Sequence, residues 1–261
     1  MQMGEKTGIS WCDHTFNPWT HWAEPLKWNA AANKAGVRRK VFCGSMCDVF
    51  EGAAELHVPR ERLWQLIGQT PALDWLLCTK RPENIRNLTP ALWWQRRASA
   101  QDGRWYPWPD NVWTLATVEN QDVLESRTAP LLEVPGLIVG VSLEPLLGPV
   151  RMAIQMGCRW EPGLRQICHQ RCLEGEICEL TKFPASLRER GVDWIILGCE
   201  KLAGNRPGRR CELAAVRDLV AQGRAAGVAV FVKQLEIDGR VSADPADWPE
   251  DLRVQEFPKA T

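Results

Sequence analysis

Six short apolar runs punctuate the chain, and each ends in a polar or charged cluster. They are Val41–Cys43, Trp75–Cys78, Val112–Leu115, Leu137–Val141, Trp194–Leu197 and Val228–Val232. The polar groups that follow are, in the same order, Ser45 and Asp48, Lys80 and Arg81, Glu119 and Asn120, Ser142 and Glu144, Glu200, and Lys233 and Gln234. Apolar runs without strict alternation suit strands that are covered on both faces, as in a parallel sheet. Helical patterns separate several of them. One follows Pro59 with Leu63, Leu66 and Ile67 on one face, and another starts at Pro82 and carries Ile85 and Leu88. Asn120 or Asp122 is placed to cap a third. The clearest spans about Glu212–Ala226, with Leu213, Val216, Leu219 and Val220 in register and Gly227 as its stop. Strand and helix in alternation predict βα units, whose strand ends converge on one ligand-binding face.

The expected fold class is therefore α/β, a partial (βα) TIM-like barrel of parallel strands formed by residues 1–261 as one domain. Two stretches interrupt the pattern. Residues 93–111 are rich in Trp and Pro, and residues 151–191 are rich in Cys, so both read as insertions. At the N-terminus only Ile9–Trp11 has the character of a short first strand. The chain then reads as loop from Pro18 to Pro25, and the tail from Asp238 reads as irregular.

Charge narrows the function classes. The 32 basic and 32 acidic residues cancel, which removes any global electrostatic argument for nucleic acid and leaves only local basic patches. No apolar stretch approaches the ~20 residues of a membrane span, and the N-terminal residues lack an apolar signal core, so a cytoplasmic protein is expected. In that compartment ten cysteines point to thiols or metal rather than to a disulfide framework. Cys158, Cys168, Cys172 and Cys178 are the metal candidates. Four thiolates would fold a loop around tetrahedral zinc, although their spacings do not match a paired Cys-x-x-Cys ribbon. A set of Cys12, Cys43 and Cys47 is the weaker alternative, since buried free cysteine is common. Fourteen Trp residues suit core packing, Trp11, Trp19, Trp22 and Trp28 among them, more readily than base stacking.

The rim residues Ser45, Asp48, Lys80, Arg81, Glu119, Asn120, Ser142, Glu144, Glu200, Lys233 and Gln234 are the candidate ligand-binding set. Lys80 and Arg81 suit a carboxylate or phosphate, Arg by a bidentate fork. Glu119, Glu144 and Glu200 suit a ligand amine, ribose hydroxyls, or general-base work, with Lys233 as a neutralising charge. Salt bridges around a structural polar ring account for the same residues, with Lys80 pairing to Glu119 or Glu144.

An ordered set of motifs carries a resemblance. It comprises Asn17-Pro18-Trp19-Thr20, Phe42-Cys43-Gly44-Ser45-Met46-Cys47-Asp48-Val49-Phe50, Leu77-Cys78-Thr79-Lys80-Arg81-Pro82, Val118-Glu119-Asn120-Gln121, Ser142-Leu143-Glu144-Pro145-Leu146-Leu147-Gly148-Pro149, Gly198-Cys199-Glu200, Arg206-Pro207 and Phe231-Val232-Lys233-Gln234. The chain is similar in these to the phage family of unknown function named after gene products thirty-seven and sixty-eight. That family in turn resembles radical S-adenosylmethionine enzymes. The resemblance implies an iron–sulfur cluster, S-adenosylmethionine, and radical modification of a substrate such as a nucleotide or nucleic acid.

The sequence departs from the family at one place. Members typically follow the Asn-Pro pair with Gly-Cys and two further cysteines, the last pair spaced Cys-x-x-Cys. Here Thr20 runs into His21-Trp22, and no such segment follows. Thiolates hold the cluster, and without three of them radical chemistry has no electron source. Either the cluster is lost, leaving a binding barrel, or the sequence omits a stretch between Thr20 and His21. The survival of the motifs on both flanks favours the omission. A zinc-stabilised nucleic-acid-binding module is a third reading, disfavoured by the zero net charge.

Overall fold

The computed structural model describes residues 12–17, 21–44, 47–94, 108–152, 191–200, 209 and 211–259. Each of the six apolar runs falls in a strand, apart from Leu137 and Val228, which immediately precede theirs. The strands are β1 (His14–Phe16), β2 (Arg39–Cys43), β3 (Leu73–Thr79), β4 (Val112–Thr117), β5 (Ile138–Leu143), β6 (Trp194–Gly198), β7 (Ala229–Ile237) and β8 (Arg240–Ser242). They form one sheet in the order β1-β2-β3-β4-β5-β6-β7-β8. Every neighbouring pair from β1 to β7 is parallel, and β8 returns antiparallel on β7. The sheet curls into a half-barrel. This is the α/β parallel arrangement expected; among the described residues the strands do not close into a complete TIM barrel.

The helices are α1 (Glu24–Ala35), α2 (His57–Gln69), α3 (Ile85–Leu88), α4 (Leu124–Leu132) and α5 (Leu213–Ala226). Asn120 starts the α4 region as foreseen, its side chain accepting from the Asp122 and Val123 amides. Gly227 ends α5 at φ +69°, a left-handed conformation that favours glycine. Its N–H donates to Arg224 O, and that of Val228 to Gly223 O.

Every residue of β4, β5 and β6 is buried, so alternation has no solvent to report on. The two sheet faces are nonetheless distinct. Leu73, Trp75, Leu77, Val139, Val141, Ile195 and Leu197 pack in the larger core, with Leu63, Ile67, Val216 and Leu219 of the helices. The alternate residues Leu76, Trp113, Leu115, Ile138, Trp194, Ile196 and Phe231 form a second core on the concave face.

Three sequence expectations need correction. The first described strand is His14–Phe16, past the Ile9–Trp11 run, which lies outside the described residues. The stretch read as loop gives way at Glu24 to twelve-residue α1, whose buried members are only Pro25 and Ala32, too small to mark an apolar stripe. The tail is more ordered than its prolines suggest. Beyond β8, Gln255 bridges Phe231 antiparallel, Val232 N–H donates to Val254 O (2.8 Å), and Glu256 N–H to Val230 O (2.9 Å). Phe257 then turns onto the concave core, its ring 5.4 Å from Trp194 and 5.2 Å from Phe231. Lys40 of β2 reaches the same ring, its ammonium 4.1 Å from the centroid, so the tail closes the floor of the half-barrel.

The Trp-rich stretch also contributes to packing where it is described. Trp108 is buried and meets Trp93 and Trp94 edge-on at 5.1 and 5.5 Å. Trp22 meets Phe16, and Trp28 stacks on His14, so these two pack as expected; Trp11 and Trp19 lie outside the described residues. The Cys-rich stretch 153–190 lies outside them as well, so the insertion has no structural account.

The His14 stack has a pH consequence. The ring lies 4.2 Å from Trp28 at 4°, and burial pushes the His14 pKa below 6.5 against the pull of Asp13. The folded state therefore resists a proton that the unfolded chain accepts. Stability should fall as pH drops from about 7 to about 5, and His14→Phe, which keeps an aromatic stack, should flatten that slope. Urea midpoints across the range measure it; parallel pH profiles for the two proteins would refute the assignment.

Candidate functional site

The C-terminal ends of the parallel strands carry the candidate residues, because every strand from β1 to β7 runs the same way. Asp48 follows β2 and organises the first sector. Its carboxylate accepts from Phe50 N–H (3.0 Å), Thr79 Oγ1 (2.9 Å), Lys80 N–H (2.9 Å) and Arg81 Nη1 (3.5 Å). Arg81 also reaches Glu51 at 3.2 Å. The β2–β3 corner is thus held by one carboxylate, and Arg81 is half-exposed beside it.

Glu119 follows β4 and sits between two cations, Lys80 Nζ at 2.7 Å and Arg127 Nη1 at 2.5 Å. Burial pushes its carboxyl up, but the Lys80 hydrogen bond and the Arg127 and Lys80 charges outweigh it and hold the pKa below the usual range. Arg127 comes from α4, also donates to Thr117 O, and had no signal in the strand-end pattern. Asn120 is spent on its capping bonds.

The third sector joins β5, β6 and β7. Glu144 accepts from Lys233 Nζ at 2.7 Å and from Gln234 Nε2 at 3.1 Å. The register shifts between Leu197 and Gly198, so that Gly198 pairs with Gln234. A bulge of this kind re-aims side chains, and here consecutive residues 233 and 234 both reach one carboxylate. Gly198 suits the fit: a Cβ there would lie 3.2 Å from Glu144 Cγ and Cδ, a tight contact that the carboxylate side chain would have to yield to.

Glu200 stands apart on the rim, bound to Arg209 through the guanidinium and the backbone N–H. Those hydrogen bonds hold its pKa at about 2. A general base near neutral pH needs a raised pKa, and Glu119 and Glu200 are shifted the other way. Ser45 lies outside the described residues.

Beneath the rim the strands present small side chains. Cys78 and Thr117 touch at 3.3 Å, Thr117 pairs with Ser142, and Ser142 pairs with Ile196 of the concave core. Burial pushes the Cys78 thiol up to about 11, so it is protonated at neutral pH.

Among the described residues no group of three His, Cys, Asp or Glu side chains is placed to hold a metal ion. Cys43 is buried in the helix-side core, and burial pushes its thiol strongly up, the reverse of what a thiolate ligand needs. The described positions do not bring Cys12, Cys43 and Cys47 together as a three-ligand group. Cys199 and Cys211 hydrogen-bond to each other behind the rim. Cys158, Cys168, Cys172 and Cys178 lie outside the described residues. Thr20 lies outside the described residues, and with it the junction to His21 on which the expectation of an omitted stretch turns.

The model of a protein family described as "Protein of unknown function (DUF5131)" matches residues 19–243, and the chain belongs to that family. Comparisons with curated proteins and with solved structures give no match. Among the described residues no helix is long and apolar enough to cross a membrane.

Proposed function

We propose that this family member is a binding barrel, which holds a small polar ligand at the C-terminal ends of its strands without radical chemistry. The observation that carries the reading is the convergence of polar groups at the strand ends: Asp48 with Arg81, Glu119 with Lys80, and Glu144 with Lys233 and Gln234. Convergent polar groups of this kind are what a small-molecule site requires. The rim carboxylates are hydrogen-bond acceptors, so they favour ligands with N–H or O–H donors, while half-exposed Lys80 and Arg81 offer a place for an anionic group such as a phosphate.

Radical cleavage of S-adenosylmethionine, which the family resemblance implies, needs three cluster thiolates, and the motif that would supply them is absent from the sequence. The experiment combines two measurements on the purified full chain. Anaerobic reconstitution with iron and sulfide should leave the protein nearly colourless, with iron well below one cluster per chain. Thermal shift against nucleosides, nucleotides, S-adenosylmethionine and simple amines should show a saturable rise with at least one of them, lost in Glu144→Ala. A brown protein with one full cluster per chain would overturn the reading and restore the radical enzyme. Zinc in the same metal assay would report on Cys158, Cys168, Cys172 and Cys178.

A further inference from the structure

Gln234 is completely buried, yet half of its amide is unused. Its Nε2 donates to Glu144 Oε1 at 3.1 Å and to Cys199 O at 2.5 Å. Both partners are acceptors, so the orientation of the amide is settled: reversing it would set Oε1 against two oxygens. Oε1 is left with no donor among the described residues. A buried acceptor without a donor is costly, and cores rarely keep one without a reason. Beside it stands Glu144, whose other oxygen, Oε2, takes the Lys233 ammonium at 2.7 Å. Gly198 keeps the backbone clear of that carboxylate, and the register shift on β7 turns Lys233 and Gln234 onto it together.

From this arrangement we infer that Glu144 and Gln234 form a subsite for a primary ammonium group of the ligand, with the Lys233 ammonium as its tethered occupant. The inference rests on the reading of the barrel mouth as a binding site and names the chemistry that one part of it selects. Glu144 supplies the charge, and Gln234 Oε1, which the Lys233 ammonium leaves without a donor, is the second acceptor. An untethered N–H cation has donors to offer both, whereas an anion or a neutral apolar group has none. Lys233 is the flexible member of the set, carried on a four-carbon stem that swings aside at modest cost. Exchange of one ammonium for another leaves the charge at Glu144 balanced, and so avoids the penalty of a carboxylate held unpaired.

The test removes the tethered ammonium and offers a free one. Lys233→Met keeps the apolar stem and should lower Tm. Adding n-propylammonium should then raise Tm saturably by about 2–4 °C. Tetramethylammonium at the same ionic strength, which has no N–H, should not. Glu144→Gln in the Lys233→Met background should abolish the response. If Lys233→Met is unfolded on its own, recovery of its near-ultraviolet circular dichroism by n-propylammonium alone reads the same question, with Lys233→Ala as a second variant. No response, or an equal response to both cations, overturns the subsite. A ligand response in the wild-type panel without this rescue removes the subsite alone, and rescue without any panel response removes the wider binding reading instead.

Discussion

Trp194→Ala is expected to lower the unfolding free energy by about 3–5 kcal/mol, the range for deleting a large buried aromatic. Trp194 is fully buried at the centre of the concave core. Its ring meets Trp113 edge-on at 5.8 Å and Phe231 at 6.2 Å, and lies 5.4 Å from Phe257. Its Nε1 donates to Glu256 O at 2.9 Å. The substitution therefore opens a cavity and also releases the tail from the floor of the half-barrel. Trp194→Phe separates the two effects: it keeps most of the packing and loses the single hydrogen bond, worth about 1 kcal/mol. Urea midpoints with m-values are the measurement. A loss in Trp194→Ala no larger than that of Trp194→Phe would mean that the ring does not anchor the concave core.

Asp48→Ala is the second large effect, expected to cost about 2–4 kcal/mol. The loss would leave the Thr79 hydroxyl, the Lys80 amide and the Phe50 amide without the acceptor they share, and Arg81 without one of its two carboxylates. Thr79 is buried at 1% exposure, so water does not readily replace the carboxylate there. Asp48→Asn should recover part of the loss, because one amide oxygen still serves one end of the set. Hydrogen exchange at the Lys80 amide, faster in Asp48→Ala than in the wild type, would place the damage at the β2–β3 corner. Unchanged exchange at Lys80 would show that the corner is held by other contacts.

The parallel sheet was legible in the sequence because its signal is local. A run such as Trp194–Leu197 buried on both faces has to be apolar throughout, and polar residues return where the strand leaves the sheet. The helix α5 was equally plain, since four large aliphatic residues and a glycine stop mark it. What escaped notice lacked such a signal. The helix α1 buries only Pro25 and Ala32, and the Val254–Phe257 segment pairs through backbone groups that any residue supplies. At the rim, strand ends named Glu144, Lys233 and Gln234, which do meet, and Lys80 with Glu119, which pair as the salt-bridge alternative had it. Arg127 and Arg209 were missed because they reach the rim from a helix and a loop, where an arginine is most often a solvated charge. Gly198 was visible as part of a motif, but its reason, a bulge facing a carboxylate, is a property of two strands together.

The strand order follows the order of the chain, which bears on how the protein is made. A sheet of this kind can be assembled vectorially, each new strand docking on the one just translated, with no partner that has to be awaited from far along the message. At every stage before completion the growing flank of the nascent sheet is an open edge, a template for pairing with other chains. In the finished molecule the outer edge of β7 is covered twice by later sequence, its second half by β8 and its first half by the segment around Gln255. Protection from aggregation at that edge therefore arrives only after residue 255 has left the ribosome, and a stop codon or protease cut just before it would yield a sheet with all seven parallel strands and an adhesive flank.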